Sequence, residues 1–280
     1  MPTVPATPMA PFVQCAGTLP AMPEVAHTLI RSFSRDDLSL HEVAGLIGRD
    51  QTLAAKVLRL ANSPRYSPSH SIATLKDAAA TLGLRALRDL TLSACMSGAF
   101  PAVIGFDRLA FWRSTLALAA YTQPLARALD CDEDIAYLGG LVLRTGQILM
   151  LMADPEHAVL VHYQSTAVDS VIGVETRLVG CSHPEITAEL AHQWRFPDTL
   201  VMALNAAVDP LATRPFNRLG ALLRLASVVT DCRDLGVPVD EGLRAAQPAL
   251  VEHLQLDLPW LLEHLPDHRL ATAGVEALVH

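Results

Sequence analysis

Eleven histidines are the first candidates for chemistry in this 280-residue chain, because imidazoles at helical spacing are how an α-helical protein holds a metal ion. His264 and His268 have i, i+4 spacing, but Pro266 between them interrupts the helix that would align them. His157 and His162 are five apart and point to different helix faces, while His183 and His192 fall near opposite ends of one helical segment. No His-Asp dipeptide occurs. A nucleophile finds no better support: the chain has neither a Gly-x-Ser-x-Gly elbow nor a glycine-rich phosphate loop. Cys15, Cys95, Cys131, Cys181 and Cys232 are scattered without a Cys-x-x-Cys pair, which argues for free thiols over a disulfide framework or a zinc ribbon.

A binding reading attaches to residues 39–62. Helix, a turn at Gly48, then helix is the arrangement of a helix-turn-helix DNA reader, with Lys56 and Arg59 as phosphate contacts. The charges there are nearly balanced and the whole chain carries −8, whereas a phosphate-tracking surface is clearly basic. Two helices packed on a core give the same pattern, and nucleic acid is disfavoured as a partner.

The elements that must position any site are helical. Apolar residues make up 51% of the chain and aromatics only 5%, a Leu/Ala/Val mixture that favours helices over strands. The most apolar stretch, Ala136–Met152, covers more than one helix face and reads as a buried central helix. Arg144 and Gln147 in its middle argue against a membrane span. Gly139, Gly140 and Gly146 are expected where neighbouring helices approach closely. Around it the periodicity predicts an all-α chain of about thirteen helices in two packed lobes. Start signals include Pro23, Ser39 with Glu42 as a capping box, Asp132 and Ser182. A long helix from Phe106 to about Asp130 is expected to kink at Pro124, and Asn62-Ser63-Pro64 ends the helix 51–62 before the loop SPRYSPSHS. The proline-rich residues 1–16 read as a loose tail and not as a signal peptide, and no spanning or lipidation signal appears, so a cytoplasmic location is expected.

The segments LPAMPEVAHTLI, LIGRDQTLAAKVLRLANSPRYS and IATLKDAAATLGLRALRDLTL resemble the N-terminal half of the HDOD domain. The resemblance continues through FWRSTLALAAYTQPLAR, AYLGGLVLRTGQILM and ETRLVGCSHPEITAELAHQWRFPDTL, and it covers Gly17 to Pro210. It implies a five-helix lobe over 17–105, an HD-like lobe over 106–210, and a helical extension over 211–280 packed on the domain. HDOD domains are bacterial signalling output modules related to HD-type metal phosphohydrolases. In catalytic HD relatives, histidines and an adjacent His-Asp pair hold the metals that activate water. Laid on this chain, the histidine following Phe111-Trp112 falls at Ser114, and the His-Asp pair falls at Leu143-Arg144. The paired histidines after Trp194–Pro197 fall near Ala207-Val208, and a later aspartate falls at Ser227. Of the set only His183 remains, and one imidazole cannot hold a divalent ion beside a guanidinium that stays protonated.

The resemblance therefore implies a non-catalytic regulatory protein with no metal and no cofactor, acting through a signalling protein partner or a small anionic ligand. Arg144 is the candidate anion contact, with an internal ion pair as the alternative. Arg59, Asn62, Ser63 and Tyr66 are the candidate partner surface, where Asn62 and Ser63 also suit a helix end. Motility, biofilm or cyclic di-GMP-linked control are the outputs the family suggests. The rival readings are a phosphohydrolase with an atypical ligand set built from His183, His192 and carboxylates, and the DNA reader above.

Overall fold

The computed structural model describes residues 8–32, 39–67 and 71–279. Residues 1–7 of the expected tail and 68–70 of the expected loop lie outside these. All regular structure among the described residues is helical.

The chain opens with α1 (Ala10–Ala16), inside the segment expected to be a loose tail. Phe12 is buried against α8 and α11, described below, which overturns the tail reading for residues 10–16. The prolines misled, because Pro11 sits in the first helical turn, where its missing N–H costs nothing. The N-terminal lobe holds α2 (Glu24–Arg31), α3 (Leu40–Ile47), α4 (Gln51–Ala61) and α5 (Leu75–Ala99). α5 is broken at Gly83, whose φ of 80° a glycine adopts without a side-chain clash. The capping box of Ser39 and Glu42 forms as expected. α3 and α4 both pack on α5, and burial lowers the pKa of Lys56, with Arg108 and Arg59 adding to the shift. The exposed residues of α4 are Gln51, Thr52, Ala55 and Arg59, of which one is basic.

The second lobe is built on α6 (Arg108–Ala128), continuous through Pro124, and α7 (Glu133–Val142). α8 (Thr145–Ala153) follows α7 directly, and Leu143-Arg144 form the turn between them. The single central helix expected over 136–152 is thus two, with Arg144 at the N-cap of the second. The whole run 133–153 is long and apolar enough to cross a membrane, but 72% of its apolar window is buried in the protein core. The glycines lie where close approach was expected: a Cβ on Gly140 would stand 2.8 Å from the Ala119 backbone of α6.

Then come α9 (Pro155–Gln164), α10 (Val171–Val179), α11 (His183–Gln193) and α12 (Asp198–Ala206). α13 (Arg218–Leu235), in the segment expected to pack on the domain, packs on α6, α7 and α12. Residues 218–235 are a central element, and the alternation of buried Leu, Ala and Val around the helix is the physical reason. α14 (Val239–Ala246), α15 (Pro248–His253) and α16 (Leu258–His264) follow, and α17 (His268–Ala271) and α18 (Glu276–Val279) return to the lobe junction. There α18 touches α4, α5 and α6.

That junction holds a buried carboxylate. Asp89 on α5 is 4% exposed and accepts a long hydrogen bond of 3.3 Å from Gln123 Nε2. Arg85 and Arg88 are engaged by Asp134 of α7, each at 2.8 Å. Burial, reinforced by the nearby Asp134, pushes the Asp89 carboxyl up to about 8. A folded-state value above the unfolded one means that the native state holds a proton that the unfolded chain releases. Stability from this group is complete below about pH 4 and is lost as pH rises toward 8, at up to about 1.4 kcal/mol per pH unit. Urea denaturation of Asp89→Asn at pH 5 and pH 8 is expected to show a flatter pH dependence than wild type. An unchanged slope would refute the assignment.

Candidate functional site

Of the positions that the resemblance aligns with HD ligands, Ser114, Arg144 and Ser227 are brought together, and the guanidinium of Arg144 bonds the other two. Because α7 ends at Val142, the Leu143-Arg144 turn directs Arg144 across the bundle toward α6 and α13. Arg144 Nη1 donates to Ser114 Oγ of α6 at 2.8 Å. Nη2 donates to Ser227 Oγ of α13 at 2.9 Å and to Asp231 Oδ1 at 2.5 Å. Ser114 in turn donates to Asp234 Oδ2 at 2.8 Å. Three positions carried over from the metal set are therefore neighbours: a cation occupies one, and hydroxyls that bind it occupy the other two.

The network extends away from the site through two neighbouring aspartates to a second arginine. Asp231 Oδ2 accepts the backbone N–H of Asp169 at 3.0 Å. The Asp169 carboxylate takes Arg224 Nε at 2.8 Å and Nη2 at 3.0 Å, and also Gln247 Nε2 at 2.5 Å. Burial pushes its carboxyl up, against the opposing pull of Arg224. Arg224 also donates to the carbonyls of Ala207 and Val208, at 3.4 and 3.3 Å. So the positions matching the paired histidines contribute only backbone oxygen, and that oxygen faces a second guanidinium.

His183 sits at the start of α11, positioned by the Ser182 and Glu185 cap. Its Nδ1 and its backbone N–H both meet Glu175 Oε2 of α10, at 2.7 and 2.8 Å. Leu143 is buried, and its carbonyl accepts from Thr187 Oγ1 at 2.9 Å.

The other histidines do not assemble. His264 Nδ1 bonds the Trp260 carbonyl, while His268 Nδ1 meets the Tyr121 hydroxyl at 2.8 Å. His192 is exposed near the end of α11, nine residues from buried His183, or roughly 13 Å along the helix. That separation keeps the two from sharing one ion. Among the described residues no group of three or more His, Cys, Asp or Glu side chains is arranged to hold a metal. The donor set here does not fit the metal centre of the HD relatives, since hydroxyls, a guanidinium and carbonyls stand at the ligand positions.

Of the four candidate partner-surface residues, Arg59 and Asn62 are exposed, Tyr66 is half-buried and Ser63 is buried. Asn62 closes the end of α4, its Nδ2 donating to the carbonyls of Leu58 and Ile72 at 2.8 Å each, and its Oδ1 accepting from Ile72 N–H at 2.7 Å. Ser63 is buried against Gly274. Tyr66 is half-buried, and burial raises its pKa. Arg59 is exposed on α4. These residues pin a loop and the C-terminal helices; they do not reach the Arg144 site.

Beside Arg144 opens a cavity of about 630 Å³ between the start of α6 and helices α8, α9 and α10. Ser114, Arg144, Gln147 and Asp234 supply polar wall, and Phe111, Met150 and Val159 supply apolar wall. Sequence reasoning missed Asp231, Asp234, Asp169, Arg224 and Glu175. Nothing local marks them, because each partner lies on a different helix.

The sequence profile of the HDOD domain matches residues 19–210. A solved structure from Shewanella amazonensis SB2B, provisionally assigned as a phosphohydrolase, is 27% identical and superposes with a TM-score of 0.76, covering 96% of this chain and 97% of that one. A signal transduction protein structure from Marinobacter aquaeolei VT8, also a provisional assignment, is 22% identical with a TM-score of 0.73, and this chain covers 60% of it. A protein of Treponema pallidum (strain Nichols) is 25% identical over 186 residues, and the match spans 36% of that relative's length. With the profile covering well over half of its length, the chain belongs to the HDOD domain family.

Proposed function

We propose that this HDOD protein is a non-catalytic regulator in bacterial signal transduction, acting in the cytoplasm by binding a partner protein or a small ligand at the former HD centre. The observation that carries the reading is the seat of Arg144, bonded to Ser114, Ser227 and Asp231 where the resemblance places metal ligands. A guanidinium has only donors to offer, so it cannot ligate a metal, and no physiological pH change deprotonates it. The signalling assignment of the Marinobacter aquaeolei relative is consistent with it.

The rival reading, metal-dependent phosphoester hydrolysis, draws on the provisional assignment of the Shewanella amazonensis relative. Incubation of the full chain with a model phosphodiester and added manganese, iron or zinc separates the two. The expected result is no hydrolysis above a metal-only blank. Turnover that is proportional to protein and abolished by His183→Ala would favour the rival.

A further inference from the structure

The cavity beside Arg144 carries information about what it would hold. Its ionisable lining is Asp107, Glu175 and Asp234 against Arg144, together with His162. Arg144 is already bonded to a further carboxylate, Asp231, so its charge is spent within the protein. The field inside is therefore negative, which is unfavourable for the phosphate-bearing substrates of HD relatives and favourable for a cation. Cavities of roughly 300–1,000 Å³ with apolar walls and a few convergent polar groups suit small organic ligands.

A second observation points the same way. Glu175 lines the cavity yet is 0% exposed, and its Oε1 has no hydrogen-bond partner among the described residues. Its other oxygen accepts both N–H groups of His183. An ionised carboxylate only accepts, so the partner missing at Oε1 is a donor. A buried acceptor without one costs about 1–3 kcal/mol. An anionic group cannot fill that role; a neutral or cationic donor can, and the lining carboxylates favour the cation. The rest of the wall is apolar and partly aromatic, with Phe106, Phe111 and Tyr163 able to face a hydrocarbon body or a cation.

We propose that this cavity selects a small amphiphile with a protonated amine or amidine head and a compact apolar body, its head drawn to the lining carboxylates. The inference rests on the binding reading above and names the ligand class for that site. A divalent metal is a different case, because the donor groups around the cavity do not form a ligand set.

The test uses three probes of one shape and different charge: 2-phenylethylamine, 2-phenylethanol and 3-phenylpropionate, titrated into the full chain by calorimetry. The amine is expected to bind at least about tenfold more tightly than the carboxylate, equivalent to about 1.4 kcal/mol, with the advantage shrinking as salt rises. Asp107→Ser, which keeps a side-chain cap on α6, and Asp234→Asn are each expected to weaken the amine several-fold and to leave the alcohol unchanged. Tighter binding of the carboxylate would overturn the cation preference and leave the binding reading standing. No saturable binding by any probe would overturn the cavity as a ligand site. Phosphodiester turnover by the same preparation would instead overturn the reading beneath it.

Discussion

Arg144→Met is expected to destabilise the protein by about 3 kcal/mol, at the low end of the range for breaking a buried ion pair because the adjoining cavity admits water. The Arg144 and Asp231 side chains are 12% and 13% exposed, so the carboxylate left behind has little solvent to turn to. Oδ2 of Asp231 keeps the Asp169 N–H, but Oδ1 loses its cation, and the Ser114 and Ser227 hydroxyls lose a donor. Urea denaturation should show the midpoint fall at unchanged slope. Arg144→Met with Asp231→Leu should recover much of the loss, since removing both charges removes the desolvation cost as well. A single variant as stable as wild type would mean that the Arg144–Asp231 ion pair does not hold α13 against this turn.

The second large effect is expected at Gly146. Its N–H donates to Thr187 Oγ1 at 2.9 Å, and a Cβ added there would collide with the His183 carbonyl oxygen of α11. Backbone cannot swing aside as a side-chain end can, so Gly146→Ala should cost about 3 kcal/mol and displace His183 from Glu175. Gly45 on α3 supplies the control, because a Cβ there meets nothing within 4 Å. Gly45→Ala should be neutral or stabilising by about 0.5–1 kcal/mol. Thermal unfolding of the two variants side by side checks both, and equal stabilities would refute the close-packing account of α8 on α11.

Local signals were legible. The capping groups at Ser39, Asp132 and Ser182 declare themselves by spacing, and they cap helices in the fold. The glycines of the apolar run predicted tight helix contacts because no other role suits them there. Ser114, Arg144 and Ser227, singled out by the resemblance, do meet.

What stayed hidden depends on tertiary contact. Asp231 is 87 residues from Arg144, and nothing in the sequence couples them. The break at Leu143-Arg144 was hidden because each residue is compatible with a helix, and both keep right-handed backbone angles even at the break. Asn62 fixes the end of α4, a role its place in the sequence suggested, but the contact of Ser63 with Gly274 could not be read from the sequence. α13 read as an extension because the motif ends before it, although its inner face completes the site.

Elemental metal analysis of the full chain, purified without chelators and without a His tag, tests the central claim most directly. An arginine-filled HD centre predicts iron, manganese and zinc far below one ion per chain, unchanged after incubation with excess metal and desalting. Near-stoichiometric metal, lost in His183→Ala, would contradict it and return the protein to the phosphohydrolases.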